Sequence, residues 1–214
     1  QETMEQAFAT ILREPIALTF AGRTDAGVHA RQMFAHFDAT IEDTVLDNLV
    51  SRLNNLLPAS IAIARIFPVA EDLHARFSAR SRTYEYHIRI NKDPFAQGHA
   101  ARVATGLDFD RMNEAAQLLL GKQDFASFCR VHTDVKTTFC TVSEAYWKNN
   151  VFTITADRFL RNMVRAIVGT LMEVGRGRIT IEQFRDIIAA HNRCAAGQSA
   201  PAEGLYLTHI EYDF

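Results

Sequence analysis

Ala21-Gly22-Arg23-Thr24-Asp25-Ala26-Gly27-Val28-His29-Ala30 lies between two strand-like runs, Pro15-Ile-Ala-Leu-Thr-Phe20 and Gln32-Met-Phe-Ala-His-Phe37. The stretch reads as a loop, with Gly22 and Gly27 free to take backbone angles closed to other residues. Within it a carboxylate, Asp25, follows an arginine by two residues. Taken alone, such an Asp hydrogen-bonds its own turn, and Arg23 is a solvated neighbour.

Outward from this loop the chain alternates between helix and strand patterns. Met4, Ala7, Phe8, Ile11 and Leu12 mark one apolar helix face before it. After it, Thr40–Leu57 predicts a helix with Val45, Leu46, Leu49, Leu53 and Leu56 inward, ended by Pro58. Ile61–Phe67 and Thr83–Ile90 alternate apolar and polar residues and read as strands. A short helix over Asp110–Leu120 leads to the aromatic turn Asp124–Phe128. Val142–Trp147 and Val151–Thr155 flank Lys148-Asn149-Asn150 as a hairpin. A long helix over Arg158–Val174 closes at Gly175, another spans Thr180–Ala190, and Leu205–Tyr212 is a last strand. The mixture lacks strict strand–helix–strand alternation and contains hairpins, which predicts an α+β fold with largely antiparallel sheets flanked by helices. A composition change near residues 92–105 divides it into an N-terminal lobe, 1–92, carrying the Asp25 loop, and a C-terminal lobe, 93–214, carrying the long helix. The two can form one continuous unit.

With 214 residues, 48% of them hydrophobic, the chain can bury a sizeable core. No run approaches the roughly 18 apolar residues that span a bilayer, and no basic-then-apolar leader stands at the start. Cys129, Cys140 and Cys194 are an odd number, better suited to free thiols in the cytoplasm than to a disulfide framework. Cys129-x-x-His132 with Cys140 lacks a fourth ligand at suitable spacing, so no zinc site is expected. The chain opens on Gln1, not Met, so residues upstream of it are expected to be missing.

Net charge is −2, but it is segregated. Arg76, Arg80, Arg82, Arg89 and Lys92 share 76–92 with only Glu85; Arg158, Arg161, Arg165, Arg176 and Arg178 share 158–178 with only Glu173. Such stripes suit a phosphate backbone, or are ordinary solvated faces. At about 100° per residue, Arg158, Arg161, Arg165 and Gly169 fall within roughly 80° of one another on the long helix. A glycine inside a helix costs about 1 kcal/mol relative to Ala. Gly169 therefore marks either the close approach of a backbone or ligand, or a tolerated gap in a surface arginine row.

The ten-residue loop resembles the signature of the tRNA pseudouridine synthase A family, in which the Asp is the catalytic nucleophile; that position is Asp25. Phe159–Gly175 is similar to the family's second long motif, whose Met-Val-Arg arginine pairs with the aspartate; that position is Arg165. His74–Ser78 reproduces the lead-in to a strand whose tyrosine is implied to be catalytic, stacking on the target uracil or also assisting a proton transfer with its hydroxyl; that position is Tyr84. Without the motif, Tyr84 is an ordinary strand aromatic. Ala200–Leu207 resembles the closing strand, and the similarity runs from Glu2 to Tyr212.

The resemblance implies the pseudouridine synthase fold, two similar lobes with the catalytic cleft between them. It implies isomerisation of uridine at positions thirty-eight to forty of tRNA, no cofactor, no metal and a homodimer. Arg23 would fill the space left by the flipped uridine, while the charge stripes themselves, not the resemblance, mark Arg76, Arg80 and Arg161 as phosphate contacts. Helix spacing places Gly169 one turn beyond Arg165, where it would leave room for the Asp25 loop; leucine there would push that loop away and cut activity sharply while leaving the helix itself intact. Two departures stand out. The family's opening strand with a Gly-Trp-Gln-like segment is missing, and 130–136 follows no family pattern. Two rival classes are a non-catalytic RNA clamp and a hydrolase using Asp25. The second would need another acid or a metal set nearby.

Overall fold

The computed structural model describes residues 1–130 and 136–213. In chain order its elements are α1 Glu2–Leu12, β1 Thr19–Phe20, β2 His29–Ala30, β3 Ala35–His36, α2 Leu46–Leu56, β4 Ser81–Arg89, β5 Ala101–Arg102, α3 Phe109–Gln117, β6 Gly121–Asp124, β7 Phe139–Lys148, β8 Val151–Ala156, α4 Met163–Gly175, α5 Ile181–Ala189 and β9 Leu205–Glu211. They form two compact units, Gln1–Arg23 with Phe34–Ala79, and Thr24–Met33 with Arg80–Phe214. The division does not fall near residue 92, because β4 is paired by β9 on one side and β8 on the other. The segment 24–33 also leaves the residues around it to join the second unit.

In the first unit, α1 and α2 close over Phe8, Leu18, Leu49 and Leu53. The strand runs on either side of the signature loop shrink to an antiparallel pair, Thr19 opposite His36 and Phe20 opposite Ala35. Helix α2 begins at Leu46, after a 3-10 turn over Asp43–Val45. Val45 thus falls outside the helical period and is exposed, as is Leu56, while Leu49 and Leu53 point inward. Ile61–Phe67 forms no strand. The Asn54 side chain donates to the Ile63 carbonyl (2.9 Å) and accepts from the Ile63 N–H (2.8 Å). One amide thereby satisfies both backbone groups of Ile63 in place of a neighbouring strand.

The second unit is built on a seven-stranded sheet in the order β2-β9-β4-β8-β7-β6, with β5 beside β4. Only β2 on β9 and β5 on β4 run parallel. This is the α+β, mostly antiparallel architecture that the pattern predicts. Strands β7 and β8 turn through Asn149 and Asn150, both at positive φ, which asparagine tolerates better than most residues. Alternate residues of β8, Phe152, Ile154 and Ala156, join α3, α4 and α5 in one core. Helix α4 is buried at every position except Arg165 and Glu173, as expected of a helix apolar nearly all round. It starts five residues later than the periodicity suggests. Asn162 takes left-handed angles (φ 66°), which breaks the helical path after Arg161. Arg158 and Arg161 therefore precede the helix and are not part of its face. Among the described residues, no helix is long and apolar enough to cross a membrane.

Candidate active site

Three side chains expected at the site meet within the second unit. The Asp25 carboxylate lies 3.3 Å from Arg165 Nη1 and 3.7 Å from Arg161 Nε. About a quarter of the Asp25 side chain is exposed (27%), against 21% for Arg165 and 54% for Arg161. Two guanidinium groups this close orient the carboxylate oxygens.

The loop delivers Asp25 by three devices. The Val28 N–H donates to the Asp25 carbonyl (3.1 Å), closing a turn. Gly27 takes φ +82°, and a Cβ there would sit 3.3 Å from the Ala202 Cβ, so both conformation and space favour glycine. Beyond the turn, His29 and Ala30 pair with Tyr206 and Leu207, anchoring the loop to the sheet. Gly22 has open space around it and no positive φ, so its expected freedom is not used.

Arg165 is held more tightly than its ion pair alone would hold it. Its Nε donates to the Ala200 carbonyl (2.7 Å), and its own carbonyl accepts from the Ala200 N–H (2.9 Å). With Nε fixed, the planar guanidinium has little freedom left, and Nη1 is aimed at Asp25. Gly169 is needed for this contact, not for the Asp25 loop. A Cβ on Gly169 would lie 1.8 Å from the Gln198 carbonyl oxygen and 3.3 Å from the Ala200 nitrogen. The backbone of 198–200 fills the space assigned to the signature loop, and leucine could not be accommodated.

Tyr84 projects from β4 onto the core side of the sheet, edge-on to Phe159 at 5.0 Å. Burial pushes its phenol up to about 12, with Arg82 pulling it down and the Asp25 charge adding to the rise. The hydroxyl is therefore neutral at working pH and cannot act as a phenolate base. A β-bulge sits beside it: Thr83 faces His209 but Tyr84 faces Leu207, so Thr208 is the extra residue. Sequence periodicity carries no sign of this bulge. Tyr86, two residues on, was not expected at the site. Its buried hydroxyl donates to the Pro201 carbonyl (2.8 Å), and burial holds its phenol well above the usual range.

Arg80 forms an ion pair with Asp213 at the sheet end, and its N–H donates to the Glu211 carbonyl. Arg76, in the first unit, is exposed and lies 5.6 Å from the centre of the Phe77 ring. Arg23, also in that unit, is exposed. Cys129 and Cys140 are buried free thiols, and burial pushes Cys140 up to about 12. His132 and the rest of 131–135 lie outside the described residues. Among the described residues, no three His, Cys, Asp or Glu side chains gather to hold a metal ion.

Residues 115–213 match the profile described as tRNA pseudouridine synthase. The chain is 53% identical over 220 residues to "tRNA pseudouridine synthase A" of Porphyromonas gingivalis, covering 99% of this chain and 87% of that protein. This chain belongs to the tRNA pseudouridine synthase A family. The likeness extends to a protein of the same name from Parabacteroides distasonis at 51% identity, covering 86% of it. The Bacillus pumilus member is 37% identical and 89% covered. Family membership brings with it an isomerase chemistry.

Proposed function

We propose that this protein isomerises uridine to pseudouridine in tRNA, with Asp25 as the nucleophile. The reading rests on one observation above the others: a partly buried carboxylate faced by two arginines, one of them fixed from behind by a backbone carbonyl. In this reaction the N1–C1′ bond breaks, the detached uracil rotates, and a C5–C1′ bond forms. The C5 proton leaves to solvent and N1 gains one, so the composition of the nucleotide is unchanged. A carboxylate oriented by guanidinium groups is suited to add to an electron-poor carbon of the nucleotide.

The remaining roles follow the same reading. Tyr84 stacks on the uracil through its ring. Arg23 occupies the gap left in the RNA stack. Arg76, Arg80 and Arg161 meet phosphates, whose contacts offset the few kcal/mol that base flipping costs. The target uridines are those of the anticodon stem-loop, positions thirty-eight to forty, and the enzyme acts as a homodimer in the cytoplasm without a cofactor. The test is to incubate the protein with uridine-containing tRNA, digest the product to nucleosides and look for pseudouridine. Its appearance at those positions is the expected result. Tight tRNA binding with no pseudouridine would replace this reading with that of a non-catalytic RNA clamp.

A further inference from the structure

A segment that is neither helix nor strand, residues 196–200, runs against α4 directly behind Arg165. Its contact with the helix is unusually close. Gly169 has no room for a Cβ because of the Gln198 carbonyl, and a Cβ on Gly197 would lie 3.1 Å from the Thr170 Cα. Two glycines thus let one backbone lie on another. The buried Thr170 hydroxyl accepts from the Gly197 N–H (3.0 Å) while donating to the Ala166 carbonyl (2.8 Å). Ala200 then meets Arg165 twice, once through each partner's backbone and once through the Arg165 side chain.

An extended segment without a strand partner must be held by side chains. Arg193 provides most of that hold. Its Nη1 donates to the carbonyls of Ala196 (3.4 Å) and Gly197 (3.2 Å), and its Nη2 to the Ser199 hydroxyl (2.8 Å). Asn162 Nδ2 donates to the same hydroxyl at 2.6 Å, tying the start of α4 to the segment. Among the described residues, Arg193 forms no ion pair with a carboxylate. A half-buried guanidinium bound only to neutral acceptors is poorly explained as a surface charge, and its planar fork suits three acceptors spaced along one segment.

We infer that Arg193 is a positioning residue for Arg165: it holds residues 196–200 against α4, so that the Ala200 carbonyl fixes the guanidinium facing Asp25. The inference rests on the isomerase reading above and adds to it a residue remote from the reacting atoms. Arg193 touches no substrate; it acts through Ala200 and Arg165.

The test uses full-length protein and a tRNA transcript carrying tritium at uridine C5, the hydrogen lost when C5 bonds to C1′. Arg193→Gln is expected to slow tritium release by about 10²-fold, the scale of a misplaced catalytic group, with tRNA affinity within about threefold of wild type. Arg193→Lys should recover part of the rate. In an Arg165→Lys background, Arg193→Gln should cost less than about twofold more, because residues acting through one another are not additive. An unchanged rate, an equal penalty in both backgrounds, or affinity falling in step with rate would each overturn the inference. Should Arg193→Gln fail to fold, Ser199→Ala removes only the shared hydroxyl; a slower rate at unchanged affinity supports the inference, and a wild-type rate overturns it.

An NMR arm separates this inference from the isomerase reading. The Arg165 Nε–H resonance, assigned by its loss in Arg165→Lys, should be protected from solvent exchange in wild type and exposed in Arg193→Gln. Wild-type protein that releases no tritium would sink the isomerase reading, and persistence of that protection would still decide against Arg193.

Discussion

Arg161 and Arg165 face the same carboxylate from two differently built regions. Arg161 stands on the irregular stretch before α4, more than half exposed, and reaches Asp25 at 3.7 Å. Arg165 stands in the first turns of a buried helix, mostly covered, with its Nε already committed to a carbonyl. Both supply positive charge, but only one supplies it in a fixed direction. A charge near solvent is screened and free to turn towards an arriving phosphate. A charge held on its own hydrogen bond needs no reorganisation when the reaction begins.

The deepest cut to this comparison removes the carboxylate that the two share. Asp25→Asn keeps the shape and the phosphate contacts, so pseudouridine formation should fall by about 10⁴-fold or more while tRNA affinity stays within about threefold. Gel-shift titration beside nucleoside analysis checks both halves; a variant of comparable activity would remove Asp25 from the chemistry. Next comes a matched pair. Arg165→Lys should lower the single-turnover rate by about 10²–10³-fold, because lysine cannot hold Ala200 and Asp25 with one rigid fork. Arg161→Lys should cost less than about tenfold, since the charge survives and direction matters little there. Equal losses would erase the distinction between the two regions.

Gly169→Ala tests the support beneath Arg165. The added methyl meets the Gln198 carbonyl, so stability should fall by about 1–3 kcal/mol and activity with it. Thermal unfolding reads the first and tritium release the second; a variant of unchanged melting temperature would mean that 196–200 can retreat freely. The smallest effect concerns salt. Neutralising Arg161 with glutamine should reduce the slope of log affinity against log salt by about 0.7–0.9, one phosphate contact, with Arg165→Lys leaving the slope unchanged. An identical slope in wild type and Arg161→Gln would show that Arg161 meets no phosphate.

What could be read in the chain, and what could not, divides along physical lines. The hairpin of β7 and β8, the strands β4 and β9, and helices α1, α3 and α5 all declared themselves by period and turn residues. Asp25 and Arg165 were named from motifs and Arg161 from a run of basic residues, and the three lie together. Where the helix of Arg165 begins was not legible, because a single Asn162 at positive φ breaks a pattern that apolar spacing carries straight through. Ile61–Phe67 alternates like a strand, yet one asparagine amide satisfies both backbone groups of Ile63 and the segment forms no strand. Gly169 gave a true signal, a close backbone, but periodicity could not say whose. Arg193 gave none, since an arginine whose partners are carbonyls leaves no complementary charge in the sequence to find.

The anchoring of β2 on β9 bears on the order in which the protein is made. Residues 29 and 30 are synthesised long before 206 and 207, with which they pair, and the Gln32 side chain receives the Ile210 N–H across a separation of 178 residues. Contacts this remote in the chain form late, after shorter loops have closed. A ribosome delivers the N-terminal portion first, so Asp25 emerges long before the strand that fixes it. A nascent chain therefore carries Asp25 without a seat until residues 206 and 207 have been made.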